Sequence, residues 1–122
     1  MGFSERTIAG VRILDLDGRL TFTSGAELSR LVQTLLVAGT TQLIVNLERV
    51  SYIDSAGLGA MVEAFTVARN RTVKLKLLNP TERTRYLLDI TGLAKVVETF
   101  DSEAAALASC ESAEEAGGIE RI

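Results

Sequence analysis

One short segment, residues 54–59, combines the residue types that could support chemistry in this chain. It reads Asp54-Ser55-Ala56-Gly57-Leu58-Gly59. An apolar run precedes it and a predicted helix follows it, so Ser55 is expected at or beside the N-cap of that helix. Unpaired N–H groups and the helix dipole favour an anion there. Gly57 and Gly59 carry no side chain, so another molecule could approach the backbone, or the helix could pack closely on a sheet.

The motifs and catalytic bases that usually accompany such a segment in enzymes are absent from this sequence. Ser55 is not in a G-x-S-x-G motif, and only Lys74 or Lys76 could replace the absent histidine base. No G-x-x-x-x-G-K-[ST] motif is present to bind a nucleotide triphosphate. Asp54 could accept a phosphate as in a response-regulator receiver, but its Mg²⁺ would need Asp15 and Asp17, which are expected beside a hairpin turn. The sequence therefore predicts a protein that is not an enzyme and needs no cofactor or metal.

The elements around the segment are predicted from periodicity. Segments 5–9 and 11–16, with a short piece near 19–21, are expected to form an antiparallel hairpin at a sheet edge. The Asp17-Gly18 pair is a turn signal, with glycine supplying a positive φ. The first helix is marked by five apolar residues on one face: Leu28, Leu31, Val32, Leu35 and Leu36. Its expected ends are a Ser24–Glu27 capping box and a C-terminal Gly39.

Strands and helices continue to alternate in the second half. Residues 43–47 are predicted as a strand apolar on both faces, as in a parallel sheet covered by helices. The second helix should turn four residues inward: Leu58, Met61, Val62 and Phe65. A strand over 73–77 follows, and Asn79-Pro80 should open a third helix that ends at Ile90. A last strand is expected at 95–100, and a helix over 103–110 is expected to be capped by Asp101 or Ser102.

This order predicts an α/β fold with a mixed sheet of four to five strands and about four helices packed against it. Residues 1–110 should form one domain, and residues 111–122 an acidic, disordered tail. The basic stretch at Arg69, Arg71, Lys74 and Lys76 is expected to be a solvated face. Phe22 and Tyr52 are expected to pack in the core or under loops, with partner contact as the alternative.

Composition excludes several classes of function. The chain has 122 residues, 47% of them apolar and 24% charged, with no histidine and only Cys110 as cysteine. His–Cys zinc sites, serine or cysteine triads and internal disulfides are therefore excluded. Residues 1–110 carry 12 basic and 12 acidic side chains, so the net charge of −3 belongs to residues 111–122. Because residues 1–110 carry no net charge, the sequence argues against nucleic acid as the binding partner. The single thiol and the absence of an export signal predict a cytoplasmic protein. The absence of a long apolar run predicts that it has no membrane segment.

The chain resembles the STAS domain family, specifically the stand-alone anti-sigma factor antagonists, over about residues 5–109. The resemblance rests on residues 54–59 and on three shorter matches: Asn46-Leu47-Glu48, Gly18-Arg19-Leu20 and Thr91-Gly92-Leu93. Many members have Asp directly after the G-x-L motif, where this chain has Thr21 followed by Phe22. A second serine is also common where this chain has Ala56.

The resemblance implies a switch. The serine after the Asp is phosphorylated by an anti-sigma factor that is also an ATP-dependent serine kinase, so Ser55 would be the phosphoacceptor. The unmodified protein would bind that kinase and free a sigma factor, whereas the phosphorylated form would not bind. The partner-binding surface would comprise the following residues: Thr21, Phe22, Asp54, Ser55, Ala56, Gly57, Leu58 and Gly59.

Two other non-enzymatic roles stay open within the same family. One is a STAS subunit of a transport system, and the other is a scaffold domain in a stressosome-type assembly. The sequence does not decide whether the domain forms a homodimer. An intact Asp54-Ser55 pair favours the phosphorylation switch over the transport subunit, and the scaffold role stays open.

Overall fold

A mixed five-stranded sheet forms the centre of the fold in the computed structural model, which describes residues 1–110. Its strands, in both chain and spatial order, are β1 (Gly2–Ile8), β2 (Val11–Leu20), β3 (Gln42–Ile53), β4 (Lys74–Leu78) and β5 (Thr99–Phe100). β1 runs antiparallel to β2, and the other neighbouring pairs are parallel. The predicted mixed sheet with an edge hairpin is confirmed.

Helices connect the parallel strands. They are α1 (Phe22–Val37), α2 (Ser55–Asn70) and α3 (Glu82–Ile90), followed by a short 3₁₀ turn (Leu93–Lys95) and a helix over 103–110, labelled α4. α1 forms because its leucine and valine positions recur at helical spacing and bury one face, as predicted. Gly39 ends the α1 region with a φ of +100°, also as predicted. No helix of the described part of the chain is long and apolar enough to cross a membrane.

Two apolar clusters use the two faces of the sheet. Successive residues of a strand point to opposite faces, so Leu14 packs in the main cluster with α1 and α2, whereas Ile13 packs in a smaller one. The smaller cluster also contains Ala106 and Cys110 of α4. The sheet is therefore covered on both faces, which explains why the successive residues Leu43, Ile44 and Val45 of β3 are all apolar.

The predicted turn at Asp17-Gly18 is wrong. The hairpin turns at Ala9 and Gly10, whose φ angles are +52° and +80°, and β2 continues through Gly18 to Leu20. Gly18 does have a positive φ of +123°, but it serves a shift in the β2–β3 register rather than a turn.

Two helix starts differ from the prediction. α1 begins three residues earlier than the Ser24–Glu27 box indicated, because Thr21 is its N-cap and donates its N–H to Ser24 Oγ at 2.8 Å. α3 begins after Thr81, whose Oγ1 accepts from the N–H of Thr84 at 3.2 Å. Asn79 is not the cap, because it lies two residues before Thr81 and its N–H still bonds to the carbonyl of Phe100, at 2.8 Å.

The last strand and two side chains also differ from expectation. β5 has only two residues, because the 3₁₀ turn extends to Lys95 and a turn and a bend follow it before the strand begins at Thr99. Val62 is 42% exposed, whereas Lys76 is 3% exposed and donates from Nζ to Ser109 Oγ of α4 at 2.7 Å. Lys76 is therefore not part of a solvated face, since it points to the side of the sheet that α4 covers. The cap of α4 is Ser102, whose Oγ accepts from the N–H of Ala105 at 3.1 Å, and the predicted tail at 111–122 lies outside the described residues.

An ion-pair network joins β1, β2, β3 and α4. Arg6 donates from Nε and Nη2 to the two carboxylate oxygens of Asp15 at 2.6 and 2.9 Å, and from Nη2 to Glu103 at 2.7 Å. Asn46 Nδ2 adds a hydrogen bond to Asp15 Oδ1 at 2.8 Å. The hydrogen bond from Arg6, helped by Asn46, holds the pKa of Asp15 below its ordinary value although partial burial opposes this.

We expect Asp15→Asn to lower the free energy of unfolding at neutral pH by about 1–2 kcal/mol, because charged hydrogen bonds are lost. A lowered folded-state pKa contributes stability that is fully present above the unfolded-state pKa of about 4 and is lost as the pH falls through the lower folded-state value. The difference between wild type and variant should therefore shrink on acidification below about pH 4. Chemical denaturation over a pH series measures it.

The matched control is Asp17→Asn, which removes an exposed carboxylate of the same strand that lies 3.8 Å from Arg49. Exposed pairs of this kind contribute little, so this variant should follow wild type at every pH. A gap between wild type and Asp15→Asn that stays constant down to acid pH would contradict the assignment.

Candidate functional site

The candidate site lies at the carboxyl ends of two paired strands. β2 ends at Leu20 and β3 at Ile53, and these residues are register partners. The N–H of Asp54, the residue after the end of β3, donates to the carbonyl of Leu20 at 3.2 Å. The segments 21–22 and 54–59 therefore leave the sheet side by side, although 31 positions separate their nearest ends in the chain.

Asp54 is the N-cap of α2. Its backbone is extended, its Oδ1 accepts from the N–H of Gly57 at 2.7 Å, and its carbonyl accepts from the N–H of Leu58 at 2.9 Å. An aspartate at this position satisfies an unpaired donor of the first turn and places a negative charge at the positive end of the helix. Ser55, which the sequence placed at or beside the N-cap, is thus the first helical residue and is exposed.

The two glycines of α2 have different roles. A Cβ on Gly57 would lie 2.1 Å from the carbonyl oxygen of Leu20, so only glycine lets α2 sit this close to the end of β2. A Cβ on Gly59 would meet nothing within 4 Å. The packing interpretation therefore applies to Gly57, and the open surface expected of a docking segment is found at Gly59.

A groove between α1 and α2 adjoins Ser55. It has a volume of about 290 Å³ and is lined by Phe22, Gly25, Ala26, Ser29, Ala56, Gly59, Ala60 and Glu63. The helices are close together here because Gly25 has no side chain, and a Cβ at that position would lie only 2.9 Å from the Cβ of Ala60. We call this surface the α1–α2 groove.

Phe22 is the exposed apolar residue of this groove. Its exposure is 77%, so the expectation that it packs in the core or under a loop is wrong. Thr21, as the N-cap of α1, directs the chain so that Phe22 begins the helix. Two of the predicted partner-binding residues are not open to a partner in this way: Gly57 is buried, and the side chain of Leu58 packs partly against the main core. Ala56 is exposed.

An aromatic–cation cluster at the same edge was not predicted. The guanidinium carbon of Arg19 lies 4.5 Å from the ring centroid of Tyr52, and that of Arg83 lies 5.6 Å from it. Both distances are within the range of cation–π contact. Arg83 belongs to α3, so no local pattern in the sequence could pair it with residues of β2 and β3.

The receiver-like interpretation is not supported by the geometry. Asp15 and Asp17 do not flank a hairpin turn, as was expected, but lie within β2, and Asp15 is paired in register with Asn46, which precedes Asp54 by eight residues along β3. Asp54 follows the end of β3, which pairs with Leu20. Among residues 1–110, no three acidic or thiol side chains are grouped so that they could hold a metal ion.

Comparison with known proteins gives consistent matches. The STAS domain model matches residues 3–106 of this chain. An anti-sigma-B factor antagonist of Staphylococcus aureus is 36% identical over 76 residues, which is 62% of this chain and 70% of that protein.

Solved structures share the fold. The anti-sigma factor antagonist SpoIIAA in its unphosphorylated form matches with a TM-score of 0.71 and 21% identity, covering 90% of this chain and 98% of that chain. The Bacillus cell fate determinant SpoIIAA in its phosphorylated form matches with a TM-score of 0.71 and 22% identity, covering 89% of this chain and 99% of that chain. A sulfate transporter family protein of Wolinella succinogenes matches with a TM-score of 0.79 and 23% identity, covering 90% of this chain and 92% of that chain.

The glycine pair allows a matched test of packing. Gly57→Ala should destabilise the fold by about 3 kcal/mol, because its Cβ would overlap a backbone carbonyl that cannot move without distorting the end of β2. Gly59→Ala should stabilise by about 0.5–1 kcal/mol, since alanine has the higher helix propensity and the space is open. Chemical denaturation of the two variants measures the difference, and equal effects would contradict the different roles of the two positions.

Proposed function

The chain belongs to the STAS domain family, in the group of anti-sigma factor antagonists, and we propose that phosphorylation of Ser55 controls its binding to an anti-sigma factor. In the unmodified state it binds an anti-sigma factor that is also a serine kinase, and a sigma factor is released. Phosphorylation by that kinase ends the binding. The protein itself is a regulatory binding protein without catalytic activity, and it acts in the bacterial cytoplasm, where sigma factors work.

The exposure of Ser55 at the first position of α2 is the observation that carries the proposal. A kinase can reach the hydroxyl without unfolding the domain. The first N–H groups of a helix have no partner within the helix, so they can interact favourably with an added phosphate. The fold is therefore expected to survive the modification.

The charge next to Ser55 supports a loss of binding on phosphorylation. A phosphate adds about −1.5 to −2 charge at neutral pH. The neighbouring Asp54 is held in place by the N–H of Gly57 and cannot rotate away without losing its cap. A partner that covers this corner would have to remove water from two adjacent anionic groups, which is costly without cations to match them.

The α1–α2 groove supplies the apolar part of the proposed interface. Phe22 is a large side chain on the surface, and aromatic residues are typical anchors at the centre of interfaces. Gly59 and Ala56 leave the floor of the groove open beside Ser55. One partner surface could therefore contact the phosphorylation site and the groove together.

A role as an interaction module of a transporter or of a stressosome-type assembly is the alternative. The likeness to a sulfate transporter family protein concerns the fold, which both functions share. The exposed Ser55 beside its Asp54 cap favours the phosphorylation switch.

The first test is incubation with the anti-sigma factor kinase of the same bacterium and ATP. We expect wild type to incorporate one phosphate and to lose its binding to the kinase by at least about a hundredfold, a change that corresponds to about 2.7 kcal/mol. Ser55→Ala should incorporate none and should stay bound. Mass spectrometry and calorimetric titration measure the two effects.

The control is Ser51→Ala, which removes an exposed serine of β3 whose hydroxyl donates to the carbonyl of Gly18 at 3.3 Å. It should be phosphorylated like wild type. Phosphate incorporation that persists in Ser55→Ala would refute the assignment of Ser55. Failure of every candidate kinase to bind wild type would refute the proposed function.

A second variant tests the groove. Phe22→Ala should weaken kinase binding by roughly tenfold to a hundredfold, because an exposed aromatic anchor is lost. The free energy of unfolding should change by less than about 0.5 kcal/mol, since the ring is mostly in solvent. Val37→Ala, at the other end of α1 and 72% exposed, is the matched control and should leave binding unchanged. Equal binding by both variants would remove Phe22 from the interface.

A further inference from the structure

Two arginines converge on one tyrosine at the edge of the sheet that carries Ser55. Arg19 and Tyr52 are register partners, one residue before the ends of β2 and β3. Arg83 lies in the first turn of α3, which follows the end of β4 at the same edge. Both guanidinium groups lie over the Tyr52 ring, at 4.5 and 5.6 Å from its centroid. We call these three residues the arginine–tyrosine cluster.

The two guanidinium groups have no ion pair within residues 1–110. Arg6, Arg12, Arg49 and Arg85 each contact a carboxylate. Arg19 and Arg83 contact none, and both are exposed. Two uncompensated positive charges on one ring repel each other, so the cluster is a local positive site on a body that carries no net charge.

The cluster is prepared for a planar anion. A guanidinium that lies on an aromatic face keeps the N–H donors at its edge available, and its orientation is already restricted. Arginine binds carboxylates through two parallel hydrogen bonds, and little further side-chain entropy is lost when the fork is held in place beforehand. Tyr52 therefore acts as a positioning residue for two carboxylate-binding groups.

We infer that the arginine–tyrosine cluster binds an acidic segment of the anti-sigma factor partner, beside the contact at Ser55 and the α1–α2 groove. This inference rests on the proposed function and names the chemistry of the partner at that site. Binding of Asp or Glu side chains at Arg19 and Arg83 orients the partner on the edge of the sheet. A phosphate on Ser55 adds negative charge at the same edge, so it also opposes the approach of the acidic segment.

Charge reversal tests the inference with the kinase that binds wild type. Arg19→Glu and Arg83→Glu should each weaken binding by roughly tenfold, mainly through a slower association rate, and should flatten its dependence on salt. Arg71→Glu, at the C-terminal end of α2 and without an ion pair in the described part of the chain, is the matched control. It should bind like wild type within about twofold. Surface plasmon resonance over a series of salt concentrations gives the rates, and thermal melting checks that each variant is folded.

Arginine-to-lysine variants separate the contribution of bidentate hydrogen bonding from that of positive charge. The double variant with Arg19→Lys and Arg83→Lys should keep the association rate of wild type but dissociate faster by several-fold, because lysine cannot form the bidentate pair. If both charge-reversal variants bind like wild type while phosphorylation of Ser55 still abolishes binding, the inference is overturned and the proposed function stands. If no anti-sigma factor kinase binds wild type, both fail together.

Discussion

The candidate site depends on one close backbone contact, the packing of Gly57 against the carbonyl of Leu20. Because no side chain separates them, the N-terminus of α2 lies directly against the end of β2. The parallel pairing of β2 with β3 then brings α1 and α2 out of the sheet next to each other. Ser55, the α1–α2 groove and Phe22 form one surface only while this contact holds.

Asp54 and Ser55 contribute differently to the stability of α2, and this difference suits a phosphorylation switch. Asp54 caps α2 through the N–H of Gly57, so its carboxylate has a structural task whether or not Ser55 is modified. Ser55 has no comparable task, since it lies at the first helical position with its side chain in solvent. A charge can therefore be added or removed at Ser55 at small cost to the fold, while its effect on a docked partner is large.

The opposite face of the sheet is held by different interactions. α4 contributes a small apolar cluster, and it is fastened at both ends by polar contacts, from Arg6 to Glu103 and from Lys76 to Ser109. The long aliphatic stem of a lysine can lie in an apolar layer when its ammonium group has polar partners, which here are the hydroxyl of Ser109 and the carboxylate of Glu98, 3.8 Å away. This explains how a residue that looks like part of a solvated strand face is buried here.

Local patterns in the sequence determined the order of strands and helices, the buried face of α1 and the position of Ser55 at the start of a helix, because periodicity and capping act over a few residues. The exact caps of α1 and α3 were not determined, since Ser24 and Asn79 compete with Thr21 and Thr81 and the strand pairing decides between them. Only the tertiary structure decided that Gly57 is required for packing while Gly59 is open, that Phe22 is exposed, and that Arg83 meets Tyr52. These are contacts between residues far apart in the chain, and their distances follow from how the elements pack and not from the pattern within any one of them.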